Sequence, residues 1–232
     1  MSVANPLTPN DIGVFIFAKA PVPGYCKTRL ARGCNAVRAA RLYRAMLERT
    51  VAAACRQQPG TVTLVCAPDT RHPLFARLAR RYSLARRRQA RGDLGERMHA
   101  ALSAGLRRHR MVVLMGSDQP ALSDNWLAHA ARSLDTHPSA WVAPTFDGGY
   151  WAIGMTRAEA RVFRGPAWSS CRVARQTRQR IQRCGLSDAT FPERADVDTW
   201  RDWLSLQAPE RSSIVRAAVM PGIRRFTPPS ER

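Results

Sequence analysis

Lysine is nearly missing from this chain. Of its 37 basic residues in 232, only Lys19 and Lys27 are lysines, and the rest are arginine. Acidic residues are scarce as well, 17 in all, so the formal charge is +20. A charge of that size suggests a nucleic-acid or membrane-surface protein. The arginines, however, are spread over several predicted helices, with no aromatic-interleaved basic stripe and no recognition module. Specific nucleic-acid binding is therefore not expected, and a basic nucleic-acid-binding protein is kept only as the non-enzyme alternative. Ammonium is a compact point charge and guanidinium a planar fork, so two rare lysines in one short segment are a functional clue.

Long hydrophobic runs are also absent. The run near the start, Val14–Ala18, is far too short to cross a bilayer, and no signal-peptide pattern precedes it. The six cysteines form no C-x-x-C pair and have no histidine at zinc-ligand spacing. That excludes a zinc framework and points to reduced thiols in a cytoplasmic protein, with Cys26–Cys34 and Cys171–Cys184 bridges open. The five histidines form no ligand set. No nucleotide-binding glycine loop occurs either. Lys27-Thr28 follows Cys26 rather than glycine, so it is not a P-loop, and G-x-G-x-x-G is missing.

What remains is an ordinary globular composition, 45% hydrophobic, at a length suited to one domain. Gly13–Ala18, Thr61–Ala67 and Met111–Met115 are continuous apolar runs, as strands buried on both faces are. Shorter strands are expected near Tyr82–Ala85, at Ala140–Pro144 and, antiparallel, at Tyr150–Gly154. Asn35 predicts an N-cap for a helix from Ala36 to about Arg56, with Arg38, Arg41, Arg44 and Arg49 off its apolar stripe. Further helices are expected from Pro73 to about Arg81, over Leu94–Arg108, from Ser123 to about Leu134, over Cys171–Cys184 and over Asp198–Gln207. Asp93 and Glu96 have the spacing of a capping box. Alternating strands and helices predict βαβ units and a mainly parallel, mixed sheet in a single three-layer α/β/α domain. Residues 1–11 are expected to be a flexible start, 12–208 the domain and 209–232 a C-terminal extension.

Ligands in open α/β sheets bind beyond the carboxyl ends of the strands, and two sharp motifs fall at such ends. After the first strand comes Lys19-Ala-Pro-Val-Pro-Gly-Tyr-Cys-Lys-Thr-Arg-Leu. Two prolines stiffen this loop, Gly24 lets it turn, and Lys19, Lys27 and Arg29 make it cationic, which suits a polyphosphate. After Met115 comes Gly116-Ser-Asp-Gln-Pro. A carboxylate there, Asp118, can hold Mg²⁺ or Mn²⁺, which bind through one or two carboxylates plus substrate phosphates. Two weaker clusters follow. Asp147-Gly148-Gly149-Tyr150-Trp151 is either a tight turn or a place where a sugar packs. In Ala195-Asp-Val-Asp-Thr199, Asp198 is either the cap of the last helix or, like Asp196, a second metal carboxylate.

The ordered motifs Phe17-Ala-Lys-Ala-Pro-Val-Pro-Gly-Tyr-Cys-Lys-Thr-Arg-Leu-Ala31, Asp93–Met98, Gly116–Pro120, Asp147–Tyr150, Trp168-Ser-Ser170 and Asp196–Thr199 resemble a bacterial family of glycosyltransferase-A-like proteins. That family is labelled as the arsenosugar-biosynthesis glycosyltransferase type, within the nucleotide-diphospho-sugar transferase superfamily. The resemblance implies a transferase using a nucleotide-activated donor, most simply glycosyl transfer to a small acceptor, with nucleotidyl transfer to a phosphorylated small molecule as the alternative. It implies Lys27, Arg29 and Asp118 as catalytic residues. Lys19, Gly24, Thr28, Gly95 and Ser117, with Lys27 and Arg29, would contact the donor. Asp147, Gly148, Gly149, Tyr150, Trp168 and Ser169 would face the substrate, and Mg²⁺ or Mn²⁺ would sit on Asp118 and Asp198. Gln119 stands where many relatives carry Cys and Ser170 where many carry Thr, which leaves the acceptor open.

Overall fold

The computed structural model describes residues 7–58, 60–120, 126–127, 139–168, 170–191 and 193–219. Its strands are β1 (Ile12–Lys19), β2 (Val62–Ala67), β3 (Ala85–Arg88), β4 (Met111–Met115), β5 (Ser139–Pro144), β6 (Tyr150–Met155) and β7 (Ser187–Thr190). The helices are α1 (Thr28–Ala31), α2 (Ala36–Gln57), α3 (Pro73–Tyr82), α4 (Leu94–Leu106), α5 (Val173–Arg183), α6 (Trp200–Ser205) and α7 (Ala208–Val219). The sheet order is β3-β2-β1-β4-β6-β5-β7. β1 pairs in parallel with β2 and β4, and β5 with β7, while β6 runs antiparallel between β4 and β5. The expected mixed, mainly parallel sheet is therefore present.

The apolar runs become central strands because both of their faces are covered. Val14, Ile16, Leu64 and Val113 pack with Leu47 and Val51 of α2 and Phe75 of α3. Phe15, Val65, Val112 and Leu114 pack with Leu102 of α4 and Ile181 of α5. A third cluster joins Leu30 of α1, Met46 of α2, Trp203 of α6 and Ile214 of α7.

Local capping signals are realised. The Asn35 side chain accepts from the Arg38 N–H at the start of α2, and Asp93 and Glu96 form the reciprocal capping box of α4.

Several expectations are corrected. The third strand is Ala85–Arg88, not Tyr82–Ala85, because α3 runs on to Tyr82 and closes at Ser83 in the left-handed region. Arg44 does not stay in solvent: it is buried on α2 and pairs with Glu48 at 3.0 Å. The last predicted helix starts at Trp200, and its cap is Thr199, whose side chain accepts from the Asp202 N–H. β7 and α7 had no expected counterpart. α7 lies in the stretch read as a C-terminal extension and packs on α2, with Ile214 fully buried. Ser123 and most of the helix expected after it lie outside the described residues. All six cysteines are free thiols, so neither possible bridge forms. Among the described residues no helix is long and apolar enough to cross a membrane.

Candidate active site

β1 and β4 are adjacent and parallel, so the two motif loops leave the same edge of the sheet side by side. Because β6 is antiparallel to β4, its first residues return to that edge, and the Gly116 N–H donates to the Trp151 carbonyl at 2.8 Å. The chain leaving β7 crosses the rim and is pinned there, the Val197 N–H donating to the Asp118 carbonyl at 3.3 Å. Four segments far apart in sequence thus meet at one place.

At their meeting point lies an ion cluster. Lys27 Nζ is 2.9 Å from Asp118 Oδ2 and 3.5 Å from Asp198 Oδ1. Arg29 Nη1 reaches Asp198 Oδ2 at 2.5 Å from the outer side. The Lys27 side chain is 5% exposed, whereas Asp118 is 42% and Asp198 34% exposed. Burial would push the ammonium's pKa down. The Asp118 and Asp198 carboxylates outweigh that and hold it above the ordinary lysine value. Lys27 sits at the N-cap of α1 with φ 48° and ψ 44°, a left-handed conformation that costs a non-glycine residue about 1–2 kcal/mol. Strain of this kind is stored where a side chain must be aimed. The Asp196 carboxyl is pushed up to about 6 by burial and by the nearby Asp147 charge, with Lys27 working in the opposite direction.

Two cavities flank the cluster and share Phe17, Leu94, Gly116, Asp118 and Asp198 in their walls. The smaller, about 300 Å³, lies toward β1 and is lined also by Lys19, Lys27, Tyr43, Gln89, Arg97 and Ser117. The larger, about 620 Å³, lies toward β6 and is walled by Met98, Tyr150, Trp151 and Trp168, with Arg29 and Asp147 also lining it.

Most of the expected site residues converge here, though not all by the same means. Lys27, Arg29, Asp118 and Asp198 form the cluster. Lys19 and Ser117 line the smaller cavity; Asp147, Gly149, Tyr150 and Trp168 line the larger. Asp147 Oδ1 accepts from the Thr145 hydroxyl at 2.6 Å and from the Gly149 N–H at 2.9 Å, which fixes the turn. Gly148 lines neither cavity. Its φ is +83°, and a Cβ there would lie 2.0 Å from the Cys171 carbonyl oxygen, so it is a packing glycine. Gly95 is likewise packed, a Cβ meeting the Phe163 carbonyl at 2.5 Å and the Trp168 ring at 2.7 Å. Gly24 and Thr28 are exposed and line neither cavity. Ser169 lies outside the described residues.

Sequence reasoning missed Tyr43, which falls on the apolar stripe of α2 and reads as core. Its hydroxyl accepts from the Lys19 N–H at 2.8 Å and shares a 2.8 Å hydrogen bond with Ser117 Oγ. One buried phenol therefore ties the β1 loop to the β4 loop, and burial pushes its pKa up, keeping it neutral.

The donor chemistry suits a divalent cation. Asp118 and Asp198 already share one cationic atom, Lys27 Nζ, so the two carboxylates converge on a common point. Among the described residues no three His, Cys, Asp or Glu side chains form a complete metal cage. A pair of carboxylates is a protein ligand set that Mg²⁺ accepts, with water and phosphate completing its octahedron.

The mixed seven-stranded sheet with its covering helices has the fold of nucleotide-diphospho-sugar transferases and nucleotidyltransferases. Within that class, residues 50–170 match the model of the family described as "Uncharacterized protein conserved in bacteria (DUF2064)", and the chain belongs to that family. No curated protein matches it. Among solved structures, it is similar to a candidate nucleotide-diphospho-sugar transferase from Desulfovibrio desulfuricans G20, at 29% identity and a TM-score of 0.73, covering 82% of this chain and 83% of that one. It shares its fold with a 4-diphosphocytidyl-2C-methyl-D-erythritol synthase from Anaerococcus prevotii DSM 20548, at 12% identity and a TM-score of 0.55, over 90% and 95% of the two chains. It also shares its fold with a nucleotidyl transferase from Methanothermobacter, at 15% identity and a TM-score of 0.51, over 89% and 99%.

Proposed function

We propose that the protein is a transferase that takes a nucleotide-activated donor and passes its sugar to a small acceptor. One observation carries this reading: Lys27, Arg29, Asp118 and Asp198 meet at the junction of two cavities on the strand-end rim. Donor and acceptor need separate rooms that open on one charged spot, and the diphosphate linking nucleoside to sugar belongs at that spot.

In this reading the nucleoside occupies the smaller cavity. Ser117 and Lys19 line it, and Tyr43 holds their loops together. The ammonium of Lys27 and the guanidinium of Arg29 stabilise the negative charge that develops on the departing nucleoside diphosphate. Cations held at the rim of a partly dry site are worth more to such charge than they would be in water. Asp118 and Asp198 would hold Mg²⁺ or Mn²⁺, which when bound supplies Lewis-acid neutralisation of the diphosphate. The sugar and acceptor occupy the larger cavity. There Tyr150, Trp151 and Trp168 offer apolar faces to a ring, and Asp147, already braced by Thr145 and Gly149, offers a carboxylate to a hydroxyl or amine.

The test is a thermal-shift screen of nucleotides and sugar nucleotides with and without Mn²⁺, since a specific ligand raises the melting temperature by mass action. Product analysis follows. Release of nucleoside diphosphate from a sugar nucleotide is the expected result, whereas pyrophosphate release from a nucleoside triphosphate would instead make the protein a nucleotidyltransferase. Binding of none of these would remove the reading.

A further inference from the structure

Resting on the reading above, we infer that Lys27 is a built-in counter-cation that keeps the Asp118–Asp198 pair closed to a divalent metal until a diphosphate draws its ammonium away. Metal and donor would then bind as a linked pair.

The first argument is space. Lys27 Nζ lies 2.9 Å from one carboxylate and 3.5 Å from the other. A Mg²⁺ ion bridging the same two oxygens, at about 2.1 Å from each, would take the place the ammonium holds. Ammonium and metal cannot both be there.

The second argument is access. Lys27 is 5% exposed while both carboxylates are several times more open. The lysine enters from the protein side, its stem held by a left-handed backbone, and the carboxylates face the cavities. Lys27 also lines the smaller cavity, together with Lys19 and Ser117. A diphosphate arriving there meets the ammonium that the carboxylates already hold, so the two anionic partners compete for it.

The third argument is charge. Asp118 and Asp198 are balanced one for one by Lys27 and Arg29, with the Asp196 carboxyl also near Lys27. A divalent ion added alone shifts that balance by two positive charges at a partly buried point. The same ion arriving with a doubly negative diphosphate leaves the balance as it was. Each ligand therefore removes the electrostatic penalty on the other, and linkage requires the effect to be equal in both directions.

The test uses the full chain and two probes, Mn²⁺ followed by water-proton relaxation, which separates protein-bound from free ion, and inorganic pyrophosphate followed by calorimetry. In the wild type, saturating pyrophosphate should tighten Mn²⁺ binding at least tenfold, and Mn²⁺ should tighten pyrophosphate binding by the same factor. In Lys27→Met, Mn²⁺ alone should bind at least tenfold more tightly than to the wild type, and the gain from pyrophosphate should be several-fold smaller than in the wild type, keeping only the part due to direct metal–phosphate contact. Equal Mn²⁺ affinity in wild type and Lys27→Met, or independent binding of the two probes by the wild type, would overturn the inference while leaving the transferase reading in place. Failure of the wild type to bind either probe would overturn the inference, and the nucleotide screen above would then decide the transferase reading. Should Lys27→Met not fold, Lys27→Gln, which removes the charge and keeps a polar end, takes its place in the same comparison.

Discussion

Removing one hydroxyl from the middle of α2 tests how the two strand-end loops are joined. Tyr43→Phe keeps the ring, and with it the packing against the α1 and α6 cluster, and deletes only the oxygen. That oxygen makes two hydrogen bonds of 2.8 Å, from the Lys19 N–H and with Ser117 Oγ. Each neutral hydrogen bond contributes about 1 kcal/mol net, so the substitution should cost about 2 kcal/mol in a urea titration with an unchanged m-value. Ser117→Ala removes one of the same two bonds and should cost about 1 kcal/mol. The double variant should cost no more than Tyr43→Phe alone, because the shared bond is lost only once, which gives a coupling of about 1 kcal/mol in the cycle. Amide exchange at Lys19 should also speed up in Tyr43→Phe relative to the other β1 amides. A Tyr43→Phe stability within about 0.3 kcal/mol of wild type, or strict additivity in the double variant, would refute the tether.

Three further outcomes are expected. Asp118→Ala should abolish metal-dependent nucleotide binding in calorimetry while leaving the melting transition cooperative, since Asp118 is on the surface of the rim; unchanged titrations would remove its metal role. Gly148→Ala should cost at least about 2 kcal/mol and shift the Cys171 segment, as seen in a chemical melt. Its Cβ has no space against the Cys171 carbonyl and its φ is positive, so wild-type stability would contradict the packing described. His72 caps α3 through Nδ1, which accepts from the Leu74 N–H at 3.2 Å. Burial, Arg44 and Arg77 together lower its pKa below the usual 6.5. A histidine depressed in the folded state contributes stability that is complete above pH 6.5 and declines as pH falls through the folded value. The urea midpoint should therefore drop between pH 7 and 5. His72→Asn, which keeps a cap without the titration, should flatten that slope, and an equal slope in the variant would exclude His72 as its source.

The parts of the fold readable from the sequence are those with a local physical signal. β1, β2 and β4 are apolar runs because they are covered on both faces, and the caps at Asn35 and Asp93 work through bonds to residues three positions away. β3 was expected too early, near Tyr82–Ala85, because the strand itself is an edge segment of Ala-Arg-Arg-Arg with every residue exposed and no apolar pattern to place it. β7 is only four residues long, and its existence depends on pairing with β5, a contact between distant segments. The rim motifs were readable because strand ends dictate where loops emerge. Their chemistry was only partly so. Of the two readings of Asp198, the cap is excluded, since Thr199 caps α6 and Asp198 pairs with Lys27 and Arg29. Lys27 read as a phosphate contact, yet its ammonium lies between two carboxylates, an arrangement that only the meeting of β1, β4 and the chain after β7 creates. Tyr43 carried no signal beyond helical periodicity, because a phenol on a core face looks the same whether or not its oxygen is used.

The one reversed strand among the described residues, β6, has a geometric consequence. It separates the end of β4 from the end of β5 by two inter-strand steps, each about 4.8 Å and set by backbone pairing. The span between the Asp118 and Asp147 turns is thus a property of the scaffold, on the scale of one or two pyranose rings. Side-chain replacement on the walls can reshape what fits along that span, but lengthening or shortening it would require a strand to be gained or lost.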